Sequence, residues 1–441
     1  MLSRWKLAFA CGAATLGASL PALAQTVPDC ATVPEFANAL IGGGGSAVSP
    51  TLSEVARAIA NSDAPDEEKF TIFYWAPSAC PGYRAFKDGV SPATAQSFTY
   101  FVKGATKALA EKKCNGTSLP LAFSHMGSEV EFCTGETRPA DIGDFPAPIQ
   151  SVNVITYNTS SQDKISAEAL HFIYGYGQNG QVTPWTAGDG VIQRDDTSFV
   201  HNFLADFIQL PRTSFWWDKT AGYNPADHGG AADPKALFED NHVTTNQKTF
   251  DAIIAYAKAS GKPDETLGYI SGSNADTARK DGIKTLAFQA IGQRWAVYPD
   301  KNENALDKIN VRKGNYALWA PGHFYGKLDN KKKLVDPKVA KLFGWFAGTE
   351  VPPGNVDVTR SIITAGDIPE CAMEAYRDTA TGPVYSYAPK KPCGCYFETI
   401  ATGAQPAACV ACASDAECPG DGQKCNYGYC EAYRAAGESE G

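Results

Sequence analysis

What the sequence lacks narrows it first. Beyond residue 24 no stretch reaches the roughly 18 consecutive apolar residues that read as a membrane-spanning helix. No block of lysine and arginine occurs, and the net charge of the 441-residue chain is -9. An acidic chain without a basic patch is poorly made for nucleic acid or for an anionic membrane surface. No Gly-x-Ser-x-Gly elbow announces a serine hydrolase, and no His-Glu-x-x-His offers a zinc pair. His228-Gly229-Gly230 is similar to an esterase oxyanion-hole stretch, but it has no elbow to serve. Asp300-x-Asn302-x-Asn304 opens like a calcium loop, yet lacks the sixth-position glycine and the closing glutamate, so it reads as a turn. There is no internal repeat and no low-complexity linker.

What is present is a globular composition, 44% hydrophobic and 20% charged. At about 100–200 residues per domain the length predicts more than one domain. Residues 1–24 read as an export signal. Arg4 and Lys6 precede a short apolar run from Leu7 to Leu20, and Ala22-Leu23-Ala24 is an A-x-A cleavage site. Of 13 cysteines, Cys11 is lost with that signal, and an even number remains for disulfides in an oxidising compartment. None falls between Cys133 and Cys371. Seven crowd into the end, from Cys393 to Cys430, which reads as a stapled module with little core of its own. Cys409-x-x-Cys412 has zinc-ligand spacing, but no histidine lies in that tail, so disulfides are the reading. In the first third, Cys114 and Cys133 are expected to bracket a hairpin and to pair.

Along the mature chain, Ile41 runs into Gly42-Gly43-Gly44-Gly45-Ser46, and a helix follows on Val48, Leu52, Val55 and Ile59. Phe70–Trp75 reads as a strand ended by the Pro77–Gly82 turn. Pro146 and Pro148 predict a bend, and Val152–Tyr157 a strand. Ser166 caps a helix through Ile173. Asp196-Thr197-Ser198 opens another helix, on which Phe199, Phe203 and Phe207 recur every four residues. Phe250, Ile253, Ile254 and Ala257 mark a further helix. Leu267–Ile270, Thr285–Phe288 and Tyr316–Tyr325 are strand candidates. Strands alternating with helices predict an α/β fold with a mostly parallel sheet.

Three places combine small polar residues with a predicted helix start. At Gly45-Ser46-Ala47 glycine allows close approach, serine offers a hydroxyl, and the helix aims its N–H groups at an anion. Ser78 lies just past the strand Phe70–Trp75, where ligands of open α/β sheets sit. Arg194 precedes Asp196 and Ser198 at a third helix start, and its planar fork suits an oxyanion. Asp196 is expected to hold that arginine or to accept a ligand proton. Each feature alone also fits an ordinary turn or helix cap. Phe215-Trp216-Trp217 reads as core or interface rather than a sugar platform.

With these residues in order, the chain resembles the periplasmic phosphate-binding proteins of ABC transporters, in the type II periplasmic-binding-protein fold. Gly45-Ser46-Ala47 matches the first loop of that family, Ser78 its strand-end serine, and Asp141-Ile142-Gly143 its Asp-x-Gly segment. Arg194, Asp196 and Ser198 match its arginine motif, with Phe199 and Val200 standing where the family has Gly-Thr. The resemblance implies two α/β lobes, 25–150 with 318–385 and 151–317, followed by a Cys-rich module at 386–441. It implies ligand contacts at Ser46, Ala47, Ser78, Asp141, Arg194, Asp196 and Ser198. The expected role is an exported solute-binding protein, periplasmic or at the cell surface. It would close on phosphate or a similar small oxyanion without catalysis, metal or cofactor. A transporter permease or another envelope component is the expected partner. The rival expectation is a surface structural or adhesion protein that keeps the fold, has lost the anion pocket and works through its tail.

Overall fold

The computed structural model describes residues 27–89, 96–102, 111–186, 188–212, 215 and 242–433. The export segment, Cys11, Trp216, Trp217 and His228–Gly230 lie outside these residues.

The chain opens with β1 (Ala39–Gly44), α1 (Ser49–Asn61), β2 (Thr71–Trp75) and α2 (Ala79–Asp88). Helix α1 forms where expected, burying Leu52, Val55 and Ile59 on one face. Strands β3 (Gln96–Phe101), β4 (Glu111–Gly116) and β5 (Phe123–Met126) precede the long β6 (Ile142–Tyr157). Then come β7 (Lys164–Ser166), α3 (Ala167–Tyr176), β8 (Gln193–Arg194), α4 (Phe199–Phe207), β9 (His242–Val243) and α5 (Asn246–Ser260). They are followed by β10 (Gly268–Ser271), α6 (Gly272–Ala278), β11 (Ile283–Thr285), β12 (Ala287–Gln289) and α7 (Ile309–Arg312). Strand β13 (Trp319–Lys327) returns to the first sheet, and α8 (Pro337–Phe346) and α9 (Val358–Ala365) cover it.

The main sheet runs β10-β6-β13-β5-β1-β2-β3-β4, with β11 also on β6. The class is α/β, but the sheet is mixed rather than mostly parallel. Only β1 with β2 and β1 with β5 are parallel among its described ladders. The expected Cys114–Cys133 hairpin is absent, because β4 pairs with β3 while β5 lies between β1 and β13. The expected bend at Pro146 and Pro148 is also corrected, since both lie within β6. A proline has no N–H for the ladder, and the register of β13 slips between Ala320 and Gly322, opposite this stretch. One strand therefore extends from the β5 side of the sheet to β10 and β11.

The glycine run of β1 serves packing more than flexibility. A Cβ at Gly44 would lie 2.2 Å from the His125 carbonyl oxygen, and one at Gly82 would lie 2.4 Å from the Gly44 Cα. Helix α2 thus sits directly on the end of β1.

The C-terminal region holds β14 (Ala375–Tyr376), β15 (Tyr385–Ser386), α10 (Gly394–Thr402) and the hairpin of β16 (Gln423–Asn426) with β17 (Tyr429–Ala432). Four bridges staple it: Cys371–Cys393, Cys395–Cys409, Cys412–Cys425 and Cys418–Cys430. Nearer the start, the bridges are Cys30–Cys114 and Cys80–Cys133, which overturns the expected Cys114–Cys133 pair. Asp300 is the turn residue expected, buried and bonded to Arg279 and Lys308. No helix among the described residues is long and apolar enough to cross a membrane.

Candidate functional site

Three helix starts meet around one small cavity. Gly45, Ser46 and Ala47 line it from the turn before α1, Ser78 and Ala79 from the start of α2, and Ser198, Phe199 and Val200 from the start of α4. Arg194, at the end of β8, and Asn246, at the start of α5, complete the wall. The sheet explains the convergence. β1 and β2 are parallel neighbours, so the turns that leave them open on the same edge.

None of these three helix starts carries a side-chain cap. Ser166 does cap α3 and Thr245 caps α5, so serine and threonine caps are in use elsewhere in the chain. Uncapped starts leave backbone N–H groups without helical partners and carry the positive end of the helix dipole. Ser198 does not cap α4, contrary to the capping reading, and stands in the cavity wall.

Arg194 is 1% exposed. Its Nη1 donates to Asn246 Oδ1 at 2.5 Å and its Nη2 to the Thr244 carbonyl at 3.1 Å. Its buried Nε has no partner among the described residues. Burial pulls its pKa down, and Asp195 and Tyr269 pull the other way. The backbone fixes its position, since the Arg194 N–H donates to the Tyr269 hydroxyl at 3.1 Å.

The two sides of the cavity touch across it. Ser78 Oγ donates to the Thr197 carbonyl at 3.0 Å, and the Cys80 N–H reaches the same oxygen at 3.3 Å. Ser273 Oγ, in α6, donates to the Ala47 carbonyl at 3.2 Å. Asn202 and Arg212 both donate to the Phe132 carbonyl, at 3.2 and 3.1 Å. The Phe199 ring lies on Gly127, where a Cβ would come within 2.4 Å of it. In this closed arrangement the cavity is about 10 Å³, room for about one water molecule.

The structure brings together five of the seven expected residues: Ser46, Ala47, Ser78, Arg194 and Ser198. It does not bring the two carboxylates. Asp141 stands just before β6, largely exposed, 3.5 Å from Lys327 Nζ. Its segment continues directly into the outer end of the β6–β13 ladder, which carries it away from the cavity. Asp196 is absent from the lining, and the Arg194 fork is held by Asn246 and Thr244. Asn246 was missed. Its only signal was its place just after the capping Thr245, at the start of a helix like the other three sites.

Among the described residues, no serine of the lining has a histidine beside it in the wall. His125 lies behind Gly45, fully buried, with neither ring nitrogen bonded among the described residues. Burial lowers its pKa to about 3, with His323 contributing, so its ring is neutral.

No family model matches the chain, and no curated protein matches it. Solved structures do. One is described as a phosphate ABC transporter substrate-binding protein from Clostridium perfringens, with 13% identity and a TM-score of 0.45. It covers 75% of this chain and 99% of its own. An ABC-type phosphate transport receptor from Vibrio cholerae covers 75% and 99% at 15% identity and a TM-score of 0.42. A phosphate-binding protein from Stenotrophomonas maltophilia covers 75% and 90% at 15% identity and a TM-score of 0.39. At these identities and scores the likeness carries no argument about a ligand, and the site rests on its own geometry.

Proposed function

We propose that this chain is an exported solute-binding protein that closes two halves on a small oxyanion of the phosphate type and does no chemistry on it. The halves are 25–150 with 318–385, and 151–317, and the Cys-rich module is 386–441. One observation carries the reading. Three uncapped helix starts and a buried arginine with an unpartnered Nε face the same cavity. Orphan N–H groups, helix dipoles and a guanidinium fork are what an oxyanion needs and what a neutral ligand does not. Ser46 and Ser198 supply hydroxyl donors and Ala47 a backbone contact, while Ser78, whose hydroxyl hydrogen goes to the Thr197 carbonyl, presents its oxygen. Asp141 and Asp196, expected as contacts, are left out of the proposed set. The cross-cavity bonds to the Thr197, Ala47 and Phe132 carbonyls are the closed state's own, and a ligand enters by a small parting of the halves.

Among the described residues the wall serines have no histidine beside them, which supports binding rather than catalysis. The Ala22-Leu23-Ala24 site supports export, to the periplasm or the cell surface, where a transporter permease or another envelope component would be the partner. One observation favours the rival reading of a surface protein without a working pocket: Phe199 and Val200 stand in a wall that encloses only about 10 Å³. Calorimetric titration of the mature protein with phosphate, sulfate and arsenate decides between them. Saturable heat with any of the three is expected. No heat with all three removes the binding reading.

A further inference from the structure

We infer that a groove between residues 293–301 and 310–315 is a second ligand site, and that it takes acidic sugar units of a polysaccharide, pyranose rings that carry a carboxylate. The groove shares no lining residue with the oxyanion cavity and does not depend on that reading.

The groove is open as it stands. Its volume is about 660 Å³, against about 10 Å³ for the cavity between the helix starts. Small-molecule sites commonly measure about 300–1,000 Å³. Trp295 stands in its wall, 65% exposed. A large apolar ring left in water is the informative case, because burial is where its area stabilises. The turn that carries it is pinned. The Gln293 N–H donates to the Ala290 carbonyl at 3.0 Å, and Gln293 Oε1 accepts from the Ala290 N–H at 3.0 Å. Gln293 Nε2 donates to the Asn315 carbonyl at 2.8 Å, which ties the turn to the other wall. Val297 pairs with Phe288 through two bonds of 2.9 Å. Asn310 Nδ2 donates to the Tyr298 and Asp300 carbonyls, at 3.0 and 2.8 Å. A wall ordered in advance lowers the cost of holding a ligand.

The charged groups of the wall are of one sign. Arg294 has no carboxylate partner among the described residues, and its guanidinium carbon stands 5.4 Å from the Trp295 ring centre. Lys301 Nζ has only Asp307 nearby, at 3.9 Å, and its side chain is 66% exposed. Among the described residues no carboxylate lines the groove. Two free cations in a chain of net charge -9 point to an anionic ligand. The indole narrows its shape. A pyranose has a face of C–H groups that stacks on an aromatic ring, and an edge of hydroxyls that needs donors and acceptors. Trp295 meets the first need. For the second, Tyr298 donates to the Asp163 carbonyl and keeps its oxygen lone pairs, and Asn315 Nδ2 bonds Asn310 Oδ1 at 3.4 Å and keeps a second N–H. Arg294, beside the indole, offers its planar fork to a carboxylate on the stacked ring. An acidic peptide would bring the anion without the flat apolar face.

The test is a calorimetric titration of the mature protein with a galacturonic acid trimer and a mannuronic acid trimer. A galactose trimer is the uncharged control, and hexaglutamate the charged control without rings. Saturable heat is expected with at least one uronate trimer, at an affinity about tenfold or more above both controls. Trp295→Ala and Arg294→Ala should each weaken that binding about tenfold, and Arg294→Lys should recover part of the second loss. Both side chains are exposed, so the melting temperatures of the variants should stay near the parent's. No heat from either uronate trimer overturns the inference. A galactose trimer that binds as tightly overturns it, because charge then plays no part. Hexaglutamate binding as tightly does so too, since the groove would then be a surface for acidic peptide. Uronate binding that is unchanged in Trp295→Ala places the sugar elsewhere and also overturns it.

Discussion

Arg194 and Asp367 are two buried ionisable side chains with opposite expected roles. Arg194→Ala should weaken oxyanion binding about ten- to a hundredfold, the value of a charge-assisted pair of roughly 1.5–3 kcal/mol. Arg194→Lys should recover only part of it, because an ammonium lacks the fork. The structure adds a stability cost that a solvated capping arginine would not have. Without Arg194, Asn246 Oδ1 keeps only the long bond from the Ser271 N–H at 3.5 Å, a loss of about 1 kcal/mol that a melting curve of the variant checks. Asp367 lies beneath the cavity's frame, where its Oδ2 accepts from Thr51 Oγ1 at 2.6 Å and Gln150 Nε2 at 3.5 Å. Its Oδ1 has no partner among the described residues. Burial, with Asp276 adding charge nearby, raises its pKa to about 7 against the hydrogen bonds from Thr51 and Gln150. In the unfolded chain it titrates near 4. Between those values the folded state holds a proton the unfolded state has lost, so this group makes stability fall as pH rises from about 4 to about 7, and the loss is complete above that. Asp367→Asn should flatten this part of the Tm profile between about pH 5 and about pH 8, and an unchanged slope would contradict the assignment. Of the residues near the cavity, those with a helix start beside them were legible in sequence: Ser46, Ser78, Arg194 and Ser198. Asp141 and Asp196 were misplaced because a short motif fixes spacing along the chain and not which edge of a sheet it reaches. Asp367 gave no signal, since its burial is made by three distant segments.

At the level of elements, amphipathic helices were readable because their period is local, as in α1 and α4. Sheet order was not. β5 is four residues long, and its place between β1 and β13 depends on partners far away in sequence. The same distance problem hid the cysteine pairs. Cys30–Cys114 and Cys80–Cys133 follow from the β3–β4 pairing and from α2 sitting on β1, neither of which spacing reveals. The tail is different, because crowded cysteines with little core announce themselves. Its docking is specific. Tyr427 meets Thr359 at 3.0 Å, Tyr396 bonds Asp357, and Arg312 Nη1 holds Glu398 at 2.9 Å. Non-reducing peptide mapping should recover the four tail bridges as paired here, and free thiols at those positions would contradict the module. Reduction should open the chain to protease after Pro392 before the rest of the protein melts. Arg312→Ala should do so in part with all bridges intact, because its guanidinium donates both to Glu398 and to the Ala372 carbonyl at 2.8 Å.

For the whole molecule, the α/β class and the stapled end were legible in sequence, while the mixed sheet and the tightness of the closed cavity were not. Phe199, which stands where the resembled family has glycine, packs on Gly127 on the opposite side. That contact gives a test of closure. Gly127→Ala drives a methyl into the Phe199 ring, so it should hold the halves apart and weaken oxyanion binding, and adding Phe199→Ala should restore part of the affinity. If Gly127→Ala binds as well as the parent protein, the two residues do not set the closure. The account's central claim is that an oxyanion sits where the starts of α1, α2 and α4 meet Arg194. The most direct measurement is a crystal structure of the protein grown with selenate, with the selenium located by its anomalous scattering. The account predicts one strong peak within hydrogen-bonding reach of Arg194, Ser78 and Ser198. Selenium elsewhere on the protein, with that cavity still closed and empty of it, would contradict the claim.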